Sequence, residues 1–390
     1  MTETESRPAN LALPNPAKSH IPQLDGVRGL AIALVLMVHC YWRGPDPRLG
    51  ELWLGTTIER ILQFGWAGVE LFFVLSGLLV TSMLLDRKRR GQPLGPFYAR
   101  RLARIVPAYL IVISLVAVLS LLSLGPLVDP IVGEVASLWP CYALFLNNYF
   151  GVMGIAADNA EKALGPMWSV ATEMQFYMLW PPLVMALSER RLKLVLFAAL
   201  LACLALRLTA ITAEIPAKTI YVASLTHLDG IIIGSILALH WDRIGPFARA
   251  WTAPGLAVSI AVTIAYFWQG GATIQFNQPA QYLGFLLVAV ASSFLIMLSL
   301  VSPRLGRLFS LAPLRTLGRY SYFIYLVHMP ILLVLDQFAV WQGFWHWLAY
   351  YLLVTVGLTG IGALAWRFFE HPIIEWNKRR ERALAQSASP

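Results

Sequence analysis

Two side chains able to do chemistry sit inside the first apolar run of the chain, Leu24 to Trp42 (LDGVRGLAIALVLMVHCYW). Arg28 and His39 are eleven residues apart, about three helical turns, so on a helix they share one face with roughly 16 Å between their backbones. A titratable group held within a bilayer is costly and usually faces a pathway or reactive centre; the plainer reading is a histidine near a helix end reaching for the interface. A neutral imidazole is suited to taking a proton from a hydroxyl, and a carboxylate is suited to orienting the ring.

Other titratable residues in apolar runs are few: Glu70, Glu173, Asp229 and His328, with Arg207 and His227 near span ends. The three carboxylates fall about 8 to 12 Å in from the outer ends of their runs, and His39 lies in the outer half of its own, so they could converge on one outward-facing cavity. His39 and Glu173 are the expected catalytic pair. Glu70, Asp229 and His328 read as structural links between helices. Arg101 and Arg104, three residues apart, share a helix face, and their guanidinium forks match phosphate oxygens. The alternative for these arginines is a basic segment that fixes topology and meets anionic lipid. No phosphate-binding glycine fingerprint accompanies them.

The elements that must position these groups are membrane helices. With 58% hydrophobic and 13% charged residues, the chain is far poorer in charge than a soluble domain, where charged residues make up about a quarter. Runs near twenty residues give ten expected spans: Leu24–Trp42, Gly65–Leu85, Ile105–Gly125, Met167–Leu187, Leu192–Ile211, Tyr221–Trp241, Thr252–Trp268, Tyr282–Val301, Tyr320–Leu335 and Trp341–Trp366. Val135–Phe150 is shorter, ends at Asn147 and Asn148, and reads as re-entrant or interfacial. Residues 1–20 read as a disordered cytoplasmic tail rather than a signal peptide, residues 21–376 as the membrane domain and 377–390 as a solvated tail.

With the amino and carboxyl termini both inside, all but six of the 30 Lys and Arg residues (Arg43, Arg48, Arg60, Lys162, Arg207 and Lys218) fall on the cytoplasmic side, as the positive-inside rule requires. Arg87–Arg104 becomes a cytoplasmic loop with seven basic residues, and Leu124–Pro166 a long outer loop. The net charge of +9 thus belongs to membrane-facing loops and not to nucleic-acid binding. Cys40, Cys141 and Cys203 are far apart and signal neither a disulfide framework nor a metal site.

Several blocks, in order, resemble the integral-membrane acyltransferase 3 family: IPQLDGVRGLAIALVLMVHCYW, GWAGVELFFVLSGLLVTSMLL, FYARRLARIVPAYL, GPMWSVATEMQFYMLWPPLV, THLDGIIIGSILAL, LGRYSYFIYLVHMP and FFEHP. The resemblance makes Arg28 and His39 the family's Arg/Lys-x10-His pair, with His39 catalytic. It makes Arg101 and Arg104 its R-x-x-R element, and Glu173 its acidic position. It implies about ten spans and acetyl-coenzyme A as the usual donor, with no permanently bound cofactor. Two departures stand out: Glu70 where members often have Asp, and His227 where Arg is frequent before Asp229. The esterase-like domain that many members carry after the last span has no counterpart in this sequence.

The expectation is therefore an all-α polytopic bundle, an O-acyltransferase in a bacterial cytoplasmic membrane. Arg28, Arg101 and Arg104 would hold the phosphates of acyl-coenzyme A, and the acyl group would pass to a hydroxyl of a glycan, lipid-linked sugar or glycosylated small molecule. His39 would act either as general base in direct transfer, which is preferred, or as a transient acyl carrier. The rival is a proton-coupled transporter or flippase using the same buried charges. No inverted repeat supports it.

Overall fold

The structure, a computed structural model, describes residues 20–122, 128–270, 277–338 and 342–387. Among these residues every regular element is helical. In chain order the helices are α1 (Pro22–Arg43), α2 (Gly55–Gln63), α3 (Ala67–Arg89), α4 (Gly95–Val118), α5 (Asp129–Ala143), α6 (Phe150–Met153), α7 (Asp158–Leu164), α8 (Met167–Ala186) and α9 (Glu189–Thr212). They continue as α10 (Ala217–Val222), α11 (Asp229–Leu239), α12 (Trp241–Gly270), α13 (Gln278–Val301), α14 (Pro303–Phe309), α15 (Ala312–Asp336), α16 (Phe344–Ala365) and α17 (His371–Ser387).

Eight helices among the described residues are long and apolar enough to cross a membrane. Those at the periphery expose large apolar side chains, including Phe197, Val258 and Leu353. Such a surface is tolerable only where lipid replaces water. The protein is a multi-pass membrane protein built as an all-α bundle.

Two of the ten expected spans are not among the eight. α8 has 20 residues but is interrupted by Glu173, Gln175 and the Pro181–Pro182 pair. The expected span Tyr221–Trp241 is broken: α10 ends at Val222, a 3-10 turn covers Ser224–Thr226, and α11 has only 11 residues. At about 1.5 Å per residue α11 is too short to span. The break is stable because polar side chains meet the exposed backbone and one another. Ser224 Oγ accepts from Asn148 Nδ2 at 2.7 Å and donates to Gln175 Oε1 at 2.7 Å. Thr226 Oγ1 donates to Ile220 O at 2.7 Å.

Other differences follow from helix ends that extend past the apolar runs. The basic stretch Arg87–Arg104, expected as a loop, is mostly helical: Arg87, Lys88 and Arg89 form the last turn of α3, and Arg100, Arg101 and Arg104 lie within α4. The expected outer loop holds α5, α6 and α7. Residues 371–387 continue helically as α17. Gly125 and Trp341, expected ends of spans, lie outside the described residues, as do residues 1–19.

α1 is the centre of the bundle, and its most extensive partner is α15. The two approach backbone to backbone. A Cβ on Gly29 would overlap the carbonyl oxygen of Leu314, and one on Gly318 the carbonyl oxygen of Asp25. α3 and α11 cross as closely, with Gly77 against Ile231 O and Gly234 against Val74 O. Small residues at crossings replace the hydrophobic drive that lipid removes.

Gly318→Ala should force α15 away from α1. Such overpacking typically costs about 1–3 kcal/mol, so the variant in detergent should show a lower thermal midpoint, and Ser321→Ala, which removes only a hydroxyl on the same helix, should not.

Candidate active site

His39 is carried on the carboxyl-terminal part of α1. Its Nδ1 bonds Val35 O at 2.8 Å. A carbonyl only accepts, so in the neutral ring Nδ1 holds the hydrogen and Nε2 keeps its lone pair. The ring meets the edge of Trp42 at 5.5 Å between centroids and lies 4.9 Å from the ring of His328. His328 is fully buried on α15, and its Nδ1 donates to Tyr325 O at 2.7 Å. Its Nε2 has no partner among the described residues.

His39 opens into a cavity of about 280 Å³ lined also by Trp42, Arg43, Trp66, Asp158, Glu161, Trp168, Lys218, Tyr221 and Tyr325. α7 forms part of its rim. Its position is held by Glu134 Oε2, which accepts from Ala160 N at 2.5 Å, and by an ion pair between Glu161 and Lys218 of α10. Aromatic walls under a charged rim suit a polar, ring-containing ligand.

Glu173 does not join His39. It lines a second cavity, of about 100 Å³, together with Arg28, Arg101, Arg104, Ser76, Tyr177, Tyr322 and Tyr325. One carboxylate oxygen, Oε1, accepts from both Ser76 Oγ and Tyr177 OH. No hydrogen bond links Glu173 to His39 among the described residues. Both side chains project from helices that flank α3, but they sit at different depths. Distance from span ends along separate helices could not reveal that difference.

A third cavity, of about 580 Å³, lies toward the basic end and is lined by Arg28, Asp86, Arg87, Arg100, Arg101, Arg104 and residues of α17. Arg28, Leu79, Arg101 and Arg104 wall both this space and the second cavity. Arg28 is 3.4 Å from Asp25, and Arg101 rests over the rings of Tyr177 and Phe97. Asp86, the other acid here, pairs with Arg90 at 3.0 Å. The three expected guanidinium groups are therefore brought together with a surplus of positive charge. That arrangement is suited to a multiply charged anion such as a phosphate ester.

The second and first cavities share Val69 and Tyr325 as a common wall. Tyr325 OH lies 2.7 Å from Ser169 Oγ and 3.0 Å from Pro166 O, which pins the ring against the start of α8. Sequence reasoning passed over Tyr325, Tyr177 and Trp168. The signals were present: Tyr177 stands four residues after Glu173, and Tyr325 three before His328.

Four of the remaining buried charges form paired links outside these cavities. Glu70 Oε1 meets His227 Nε2, and His227 Nδ1 donates to Tyr221 O at 2.6 Å. Arg207, fully buried, pairs with Asp229 and donates to Thr226 O at 2.9 Å and Tyr282 O at 2.6 Å. No group of side chains among the described residues is suited to hold a metal ion.

The fold is a multi-pass helical bundle, and the chain belongs to the acyltransferase-domain family, whose profile matches residues 21–367. Among curated proteins it is 27% identical over 387 residues to peptidoglycan O-acetyltransferase OatA of Listeria monocytogenes, covering 92% of this chain and 56% of that one. It is 29% identical over 375 residues to O-acetyltransferase OatA of Staphylococcus aureus strain NCTC 8325, covering 91% and 57%. The chain thus spans a little over half the length of these relatives. No solved structure is significantly similar.

Both departures from the family's usual residues, Glu70 and His227, are the two ends of one buried pair. Glu70→Asp alone and His227→Arg alone should each lower the thermal midpoint, and the double variant should recover much of the loss. Contacting residues typically couple by about 0.5–3 kcal/mol; additive losses in a double-mutant cycle would contradict the pairing.

Proposed function

We propose that the protein is an O-acetyltransferase that takes its acyl group from acetyl-coenzyme A on the cytoplasmic side and delivers it to a hydroxyl of a glycan on the outer side. The observation that carries this reading is the succession of three cavities, each sharing wall residues with the next, from the arginine-lined space to His39. The basic end belongs to the cytoplasm by the positive-inside rule. The donor's phosphates sit among Arg28, Arg101 and Arg104, and its extended arm reaches through the second cavity toward Tyr325.

In the outer cavity the acceptor hydroxyl lies against His39 Nε2, which removes its proton as the oxygen attacks the acyl carbonyl. The thiolate of coenzyme A leaves toward the second cavity, and the proton on His39 returns to it or to solvent. The hydrogen bond to Val35 O keeps Nε2 as the basic nitrogen. In this arrangement Val35 O does the orienting task expected of Glu173. The relatives are named for acetylation, and the Listeria protein for peptidoglycan; a glycan acceptor for this chain rests on that likeness and on the aromatic walls of the outer cavity.

His39→Ala should leave the protein inserted and folded while lowering acetyl transfer by about a hundredfold to ten-thousandfold. Radiolabelled acetyl-coenzyme A supplied to inside-out vesicles containing cell-wall glycan would measure it; undiminished transfer would remove His39 from the chemistry. Replacing Arg101 and Arg104 together by Ala should raise KM for acetyl-coenzyme A at least tenfold with little change in KM for the acceptor, because phosphate contacts chiefly contribute binding. An equal rise for both substrates would point to a topological role for the arginines.

A further inference from the structure

Glu173 carries a feature that the reaction above leaves unused. Its Oε1 is engaged twice, by Ser76 and Tyr177, yet Oε2 has no hydrogen-bond partner among the described residues. The side chain is half-buried inside the bundle, so its open surface faces the second cavity. A carboxylate kept at this depth with one oxygen unoccupied is costly unless a ligand or cation meets it. Arg28, Arg101 and Arg104 also line this cavity, yet none of them pairs with Glu173 among the described residues.

The second cavity is small, about 100 Å³, and its walls include rings (Phe72, Tyr322, Tyr325) and small hydroxyls (Ser169, Ser321). Resting on the acyl-coenzyme A reading, its occupant is the pantetheine arm, an extended chain with amide N–H groups that need acceptors once removed from water. We infer that Glu173 is a donor-binding residue: Oε2 accepts an amide N–H of the pantetheine arm. The fixed bonds from Ser76 and Tyr177 hold the carboxylate in register so that the thioester ends at the wall formed by Val69 and Tyr325. Glu173 therefore acts on coenzyme A and not on His39.

The experiment uses the full chain in lipid nanodiscs and measures direct binding of two ligands: coenzyme A, and adenosine 3′,5′-bisphosphate, which keeps the 3′-phosphate and one of the two 5′-phosphates but lacks the arm. Glu173→Ala and Glu173→Gln should weaken coenzyme A about tenfold to a hundredfold, the range for a hydrogen bond to a charged group, and leave the bisphosphate unchanged. Gln keeps an oxygen for Ser76 and Tyr177 but turns an amide donor toward the arm, so its loss should match or exceed that of Ala. Arg101→Ala with Arg104→Ala should weaken both ligands.

Wild-type affinity for coenzyme A in the Glu173 variants would overturn the inference, as would equal loss of both ligands in a Glu173→Gln variant whose thermal midpoint is unchanged. A wild-type chain that binds neither ligand would instead overturn the donor reading. A fall in kcat with coenzyme A affinity intact would return Glu173 to the chemistry around His39 and also overturn the inference.

Discussion

The backbone contact between α1 and α15 sets everything else in this bundle. Because Gly29 and Gly318 let the two helices touch without intervening side chains, residues along their seam meet at close range. Near the carboxyl-terminal end of α1 the seam brings His328 against His39; toward the amino-terminal end of α1, Tyr322 and Tyr325 wall the same space as Arg28. α1 thus lines all three cavities, and α15 the first two. A lipid bilayer offers no hydrophobic drive to hold such a seam, so close packing over a long contact has to supply it.

The fold class was legible from composition and run length, because a chain this apolar has no soluble alternative. The arginine cluster was legible too: a three-residue spacing places Arg101 and Arg104 on one face wherever the helix begins, and Arg28 lies at the same inner level. The break in the expected span Tyr221–Trp241 was hidden, since Tyr221 to Trp241 is apolar enough to read as continuous. Its interruption depends on Asn148, Gln175 and Arg207, which come from elsewhere in the chain. The pairing of His39 with Glu173 failed to appear for a related reason. Depth along a helix is readable from sequence, but tilt and rotation are set by neighbours.

The buried ionic pairs separate structural charge from charge open to a ligand. Arg207 with Asp229, and His227 with Glu70, lie fully inside the bundle and tie α9 to α11, and α3 to the break before α11. Removing one partner from such a pair leaves an uncompensated charge, a loss of about 3–5 kcal/mol. The cations of the third cavity are different in kind, because five guanidinium groups line it with only Asp25 and Asp86 as nearby acids. Burial alone would have ranked Arg207 above Arg104 as a functional residue, and the pattern of partners reverses that order.

The wall of Tyr325 and Val69 between the second and first cavities has an electrical consequence. Each elementary charge that crosses a membrane at 100 mV moves through about 2.3 kcal/mol, so an open aqueous duct through the bundle would dissipate the gradients that a cell maintains. Tyr325, its hydroxyl held by Ser169 and Pro166, stands in the common wall of the two cavities. In the proposed reaction what crosses is a neutral acyl fragment handed from sulfur to oxygen, while ions and the charged carrier stay on their own sides: the bundle would conduct a chemical group and insulate against current.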